Sequence, residues 1–149
     1  MDMTIDNARA WFLKGKEFLK KNDLDNACRS FSRAYAEDKE SADYLSYYGM
    51  CSALRRGEVG LGLELCTRAI KKEFFKDEYY VNLARVYICA DNKKGAIAAL
   101  SKGLKIKPDS QAIHDVFLEL GIRKRSPIPF LKRTSLVNKY LGILFRRIR

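Results

Sequence analysis

The chain of 149 residues is 47% hydrophobic and has a formal net charge of +11, which suits one compact domain or a short repeat array with a tail. No apolar run approaches the roughly 20 residues that cross a bilayer, and the first residues, Met-Asp-Met-Thr-Ile-Asp, lack the basic start of a signal peptide. We therefore expect a cytoplasmic protein. No glycine-rich phosphate loop, nucleophile elbow or HExxH pattern occurs, and this disfavours an enzyme.

The charge is distributed unevenly along the chain. Residues 1–120 carry 20 Lys/Arg and all 18 Asp/Glu, whereas residues 121–149 carry nine Lys/Arg and no acid. A nearly neutral body therefore precedes a strongly basic tail. We predict two parts, a body over 1–120 and a tail over 121–149.

The cysteine and histidine content argues against a metal site. Cys28, Cys51, Cys66 and Cys89 are 23, 15 and 23 residues apart, no CxxC occurs, and His114 is the only histidine. Structural zinc sites need closely spaced ligand pairs. We expect no metal and no cofactor, and we interpret the four cysteines as small buried residues in a reducing compartment.

Amphipathic segments predict a series of paired helices. In chain order, the expected spans are 5–21 with 24–37, 41–56 with 59–73, 77–90 with 93–106, and a final 109–120. Turns are indicated at Asn22-Asp23, Gly57 and Asp91-Asn92, because these residue types tolerate tight backbone geometry or cap the next helix.

Small and apolar residues recur with a period of 34 or 35 along the predicted helices. Three sets repeat at these separations, namely Gly15, Gly49 and Ala84; Ala27, Gly62 and Ala96; and Phe31, Cys66 and Leu100. We predict that the first two sets permit close helix crossing and that the third fills the space between the helices. A single helical hairpin cannot bury both faces, so stacked units would form the core.

The repeats resemble the tetratricopeptide (TPR) motif. The first reads Trp11-x3-Gly15-x2-Phe18-x8-Ala27-x3-Phe31-x2-Ala34, and the third reads Ala84-x2-Tyr87-x8-Ala96-x3-Leu100-x2-Gly103-x4-Pro108, while the second is degenerate. The resemblance implies an all-α, right-handed helical solenoid. Its parts would be repeats at about 8–40, 41–75 and 76–108, a capping helix over 109–120 and an amphipathic helix in the tail.

The resemblance also implies a concave groove, lined by the first helix of each repeat, that binds a protein or peptide. Offsets from the repeated Gly or Ala place thirteen residues there: Arg9, Leu19, Asp43, Ser46, Leu54, Glu78, Val81 and the six that we assign to the peptide-binding site, Phe12, Lys16, Tyr47, Met50, Asn82 and Arg85. The two aromatic rings and the methionine suggest apolar pockets. The asparagine could hydrogen-bond a peptide backbone, and the two cations favour an acidic or polar ligand.

One TPR subclass clamps the C-terminal carboxylate of chaperone tails, and this sequence departs from its pattern. Phe12 and Tyr47 stand where that pattern has lysine and asparagine, and Glu78 replaces a lysine. A carboxylate clamp is therefore not expected.

The tail combines positive charge with apolar residues. Pro127 and Pro129 favour an extended segment that includes Phe130, and a helix over 135–148 would carry an apolar arc with Leu136, Tyr140 and Leu144. We assign these six residues to docking. The tail could pack on its own array, dock into a partner protein or lie on an anionic membrane surface through 135–148; nucleic acid is the least favoured partner.

Two interpretations of the whole chain remain within the class of interaction proteins. The first is an adaptor that holds a partner in the groove and docks through its tail. The alternative is a chaperone for a secreted or assembly subunit, although such three-repeat chaperones tend to be acidic. The tail is similar to those of small bacterial TPR proteins, which suggests a bacterial origin. The identity of the partner and the oligomeric state stay open.

Overall fold

The computed structural model describes residues 3–121, with side chains from residue 7 onward. Over this range it contains seven helices and no strand: α1 (Met3–Lys20), α2 (Leu24–Glu37), α3 (Ala42–Arg56), α4 (Val59–Lys72), α5 (Asp77–Cys89), α6 (Lys93–Ile106) and α7 (Gln111–Glu119). The all-α prediction is confirmed, and each helix end lies within two residues of its expected place. None of these helices has the length and apolarity that a membrane span needs. The predicted tail helix and the extended segment before it lie outside the described residues.

Consecutive helices pair into three hairpins that stack side by side. α1 packs on α2, α3 on α4, and α5 on α6, while α2 contacts α3 and α4 contacts α5. The first helices of the second and third hairpins, α3 and α5, also contact each other, and α7 covers the end of the stack by packing on α5 and α6. This is the solenoid arrangement that the repeat period predicts.

The turns within the hairpins use the residues that the sequence indicated. Asn22, Gly57 and Asp91 all have positive φ, between 52° and 71°, a backbone region that Gly, Asn and Asp enter most readily. In two of these turns the next residue caps a helix: Asp23 accepts the backbone N–H of Asn26, and Asn92 accepts that of Gly95. Each such cap typically contributes about 1 kcal/mol.

Close helix crossing occurs where the small residues recur. A Cβ on Gly62 would lie 2.8 Å from the backbone oxygen of Gly49, and a Cβ on Gly15 would lie 2.6 Å from the ring of Phe31. Phe31, Cys66 and Leu100 are fully buried between the helices. The predicted close approach is therefore confirmed at Gly15, Gly49 and Gly62, and the filling role is confirmed for Phe31, Cys66 and Leu100.

The cysteines do not all share one environment. Cys51 and Cys66 are buried, Cys28 is half-buried and Cys89 is exposed. The prediction that all four are buried is thus wrong at Cys89, which lies in the last turn of α5, where its thiol donates to the backbone oxygen of Ala53 at 3.4 Å. Burial raises the pKa of Cys66 to about 12, as expected for an unreactive thiol in the core.

Gly62, in the first turn of α4, offers a direct test of the packing. We expect Gly62→Ala to lower the free energy of unfolding by about 1–3 kcal/mol, because the added methyl would overlap Gly49, Ala53 and Val86. Gly60→Ala is the matched control on the same helix, since nothing lies within 4 Å of its Cβ position, and it should be neutral or stabilising by up to about 1 kcal/mol. Urea unfolding of both variants measures the difference; equal effects would contradict the assigned crossing.

Candidate functional site

The six groove residues all lie on α1, α3 and α5, the first helices of the three hairpins. Their side chains contact residues of neighbouring helices, and these contacts fall into two zones. One zone is centred on two aromatic rings near the middle of α1 and α3, and the other lies towards the C-terminal ends of these helices.

The aromatic zone is part of the core. The rings of Phe12 and Tyr47 lie 5.2 Å apart at 85°, and Tyr47 also lies 4.9 Å from Phe31. Only 9% of Phe12 and 7% of Tyr47 is exposed. Burial, and then the charge of Glu78, raises the pKa of the Tyr47 phenol, so this ring stays neutral. The two rings fill the space between α1 and α3 and form the groove floor here.

Lys16 lies beside the two rings and connects α1 to α5 through an ion pair. Its Nζ is 5.8 Å from the centroid of Phe12, 5.6 Å from that of Tyr47, and 3.3 Å from Oε1 of Glu78 on α5. Both side chains of this ion pair remain partly exposed. The positive charge of Lys16 is therefore matched by the carboxylate of Glu78, and contact of either side chain with a ligand stays a prediction.

Asn82 is oriented by a neighbouring helix. Its Nδ2 donates to Oγ of Ser46 at 3.0 Å, and its side chain is 3% exposed. A second buried contact follows, since the thiol of Cys66 donates to the backbone oxygen of Ser46 at 3.4 Å. The amide that was expected to face a peptide therefore satisfies a buried hydroxyl, and its contact with any ligand stays a prediction.

The edge of the groove between α3 and α5 is also internally paired. Tyr79 donates to Oδ1 of Asp43 at 2.6 Å, and Lys76 lies 3.0 Å from both Asp43 and Glu73. Burial opposes the charged form of Lys76, but the hydrogen bonds to the two carboxylates outweigh it and raise its pKa. Asp43 and Glu73, the two carboxylates at this edge, are therefore both paired with Lys76.

The second zone contains an open cavity of about 360 Å³. Met50 and Arg85 both line it, with Nη1 of Arg85 4.0 Å from Sδ of Met50. The remaining lining residues are Leu19, Asn22, Leu24, Leu54, Ile88 and Glu119. The cavity has an apolar wall from three hairpins, with a guanidinium and a carboxylate among its polar groups.

Part of this lining was missed by sequence reasoning. Leu19 and Leu54 occupy groove offsets of the repeat, but Leu24 and Ile88 belong to helix ends, and Glu119 comes from α7. Leu24 and Ile88 could have been indicated only by their apolar character beside the turns, and nothing in the repeat pattern indicated Glu119. The six tail residues assigned to docking (Pro127, Pro129, Phe130, Leu136, Tyr140 and Leu144) lie outside the described residues.

Among the described side chains, those of residues 7–121, no group of three or more His, Cys, Asp or Glu residues is placed to hold a metal ion. The groove faces of the described helices offer an apolar cavity, an aromatic floor and paired charges.

Solved structures share this architecture at low sequence identity. The Arabidopsis OM64 TPR domain is 15% identical with a TM-score of 0.63, over 79% of this chain and 97% of that domain. The first TPR of Spaghetti (RPAP3), bound to the HSP90 peptide SRMEEVD, is 12% identical with a TM-score of 0.60, over 78% of this chain and 94% of the other. A Thermobaculum terrenum O-GlcNAc transferase is 18% identical with a TM-score of 0.69, over 99% of this chain, which spans only 27% of that enzyme.

The sequence comparisons identify the repeats themselves. No curated protein is significantly similar in sequence to the chain. A sequence model described as tetratricopeptide repeat matches residues 8–41 and 77–110, which form the first and third hairpins. Residues 8–41 and 77–110 are therefore tetratricopeptide repeats, and they lie in a helical solenoid of the same fold as known TPR domains.

Proposed function

We propose that this protein is a non-catalytic interaction adaptor that binds a peptide or helix of a partner protein in the groove formed by α1, α3 and α5. The observation that carries the proposal is the open cavity of about 360 Å³ with an apolar wall. Cavities of a few hundred Å³ with apolar walls and few polar groups are typical of binding sites. The size suits one or two apolar side chains of a partner rather than a large ligand.

The polar groups of the cavity suggest the chemistry of the bound segment. Arg85 and Glu119 line the same cavity as Leu54 and Ile88, so one apolar anchor could be flanked by polar contacts of either sign. Amphipathic helices and short peptides present this combination. We infer a partner segment with an apolar anchor beside polar or charged residues.

The aromatic zone supports shape recognition more than charge recognition. Lys16 is already paired with Glu78, and Phe12 and Tyr47 are buried against each other. Spaghetti (RPAP3) binds an HSP90 peptide on the same fold, but this chain has aromatic rings where the carboxylate-clamp pattern has lysine and asparagine. The proposed ligand is therefore a different class of peptide.

The division into a repeat array (residues 1–120) and a basic tail (residues 121–149) is part of the same proposal. The tail has nine Lys/Arg and no acid, so we propose that it docks to the partner and adds electrostatic attraction to the groove contact.

Site-specific crosslinking tests the groove. Leu54 in the cavity and Leu61 on α4, outside it, are 36% and 37% exposed, so p-benzoylphenylalanine can replace either one in equally accessible positions. We expect irradiation in the native lysate to link a discrete polypeptide to the variant at Leu54 and not to the variant at Leu61, as measured by mass spectrometry.

The captured partner then allows a quantitative check. Leu54→Arg should weaken its affinity about tenfold or more, because a charge would enter an apolar wall, whereas Leu61→Arg should leave the affinity unchanged. Identical crosslinked products at both positions, or equal affinities of the two arginine variants, would argue against the groove as the binding site.

The ion pair between Lys16 and Glu78 gives a prediction of stronger rather than weaker binding. We expect Glu78→Gln to strengthen binding of an acidic segment of the partner by about twofold to fivefold, because Lys16 loses its intramolecular carboxylate and the pair is only partly exposed. Glu64→Gln is the matched control, since Glu64 lies exposed on α4. Titration calorimetry at low salt measures both; weaker binding by Glu78→Gln would mean that this carboxylate itself contacts the ligand.

Removal of the tail tests its proposed role. A chain ending at residue 121 should keep its helical circular dichroism, because it retains all seven described helices and the apolar contacts between them. We expect its affinity for the crosslinked partner to fall and to lose most of its salt dependence. Tighter binding after truncation would instead indicate that the tail covers its own groove.

A further inference from the structure

A second cavity, of about 510 Å³, lies between α2 and the C-terminal end of α3 and shares no lining residue with the groove cavity. Four arginines line it, Arg29 and Arg33 from α2 and Arg55 and Arg56 from the last turn of α3. Asp25 is the one acidic residue of the lining, so this arginine cleft has a net formal charge of +3. The repeat array as a whole has a net charge of only +2, and positive charge is therefore concentrated here.

Two of these arginines have partners within the protein. Arg55 forms an ion pair with Asp25, and the guanidinium of Arg33 lies 4.2 Å from the ring centroid of Trp11, a contact that leaves its charge uncompensated. The other two arginines of the cleft form no ion pair with any residue between 7 and 121, the range over which side chains are described. The cleft thus presents more cationic groups than the described protein neutralises.

We propose that the arginine cleft binds a phosphoryl group, carried either by a small phosphorylated molecule or by a phosphorylated side chain of a protein. A phosphate monoester has a charge of about −1.5 to −2 at neutral pH, which matches a site of +3 better than one carboxylate does. Guanidinium groups also bind phosphate oxygens through paired hydrogen bonds. Ser32 lines the same cleft and adds a hydroxyl donor. This site is independent of the groove and of the function proposed for it.

Cys28 supplies a reporter inside the cleft. Its half-buried side chain lines the cavity, and a hydrogen bond from the thiol of Cys51 is the main cause that lowers its pKa, against the effect of burial. The charges of Arg55 and Arg56 act in the same direction. A ligand in the cleft would shield this thiol from alkylation, while exposed Cys89 on α5, outside the cleft, serves as an internal reference.

The experiment uses the full chain, iodoacetamide and inorganic pyrophosphate as the probe, at fixed pH and fixed ionic strength. Peptide mass spectrometry follows the alkylation rates of Cys28 and Cys89 separately, so any anion bound to the basic tail does not enter the readout. We expect pyrophosphate at about ten times its dissociation constant to slow Cys28 about tenfold and to leave Cys89 unchanged. Unchanged rates, or equal slowing of both cysteines, would overturn the proposal.

Charge-matched variants assign the effect to the cleft. The double variant Arg29→Gln with Arg56→Gln removes two exposed cations of the cleft and should abolish the protection of Cys28. Lys93→Gln with Lys94→Gln removes the same charge from the exposed start of α6 and should retain the protection. Circular dichroism verifies that both proteins fold. Loss of protection in both variants would show only a general charge effect and would contradict the site.

Three peptides distinguish the source of the phosphoryl group. They share one sequence and differ in a central phosphoserine, serine or glutamate. Protection of Cys28 by the phosphoserine peptide at lower concentration than pyrophosphate would support a phosphorylated protein, and the reverse order would support a small phosphorylated molecule. A glutamate peptide that protects as well as the phosphoserine peptide would refute the preference for phosphoryl groups.

Discussion

The close contact of α3 with α4 at Gly49 and Gly62 is the constraint on which the rest of the described structure depends. The backbone oxygen of Gly49 lies only 2.8 Å from the position that a Cβ on Gly62 would take, and Val86 on α5 lies 3.1 Å from the same position. One small residue thus sets the spacing within the second hairpin and its distance to the third. Because protein interiors are close-packed, a wider crossing would displace α5 and, with it, one wall of the groove.

The groove floor and the hydrophobic core are made of the same side chains. Phe12, Tyr47 and Met50 belong to the cluster that contains Phe31 and Val86. A floor held by core packing cannot rearrange without loss of stability, so its shape is already formed before a partner arrives. Adaptation to a partner is then left to the exposed rim and to the cavity near Leu54. Such preorganisation lowers the entropic cost of binding.

The sequence predicts local features of this protein better than the contacts between repeats. A period of 34 or 35 residues, together with turn residues such as Asn22 and Gly57, was sufficient to predict the helices and their pairing into hairpins. The ion pair of Lys16 with Glu78 and the hydrogen bond of Asn82 to Ser46 join residues 62 and 36 positions apart. Their registers depend on how three hairpins stack, and no single-repeat pattern contains that information. The exposure of Cys89 and the contribution of α7 to the cavity escaped prediction for the same reason.

Cations are paired with carboxylates in the groove but outnumber them in the arginine cleft. At the groove, Lys16 pairs with Glu78 and Lys76 pairs with Asp43 and Glu73, so burial of apolar surface would dominate binding there and would respond little to salt. The arginine cleft has the opposite balance, since its cations outnumber its single carboxylate. A partner that carried both an apolar anchor and a phosphoryl group could contact the two sites at once, and its affinity would then exceed that of either contact alone. In a chain that ends at residue 121, which lacks the basic tail, salt would weaken the cleft contact and leave the groove contact nearly unchanged, so the two contributions are separable in one titration series.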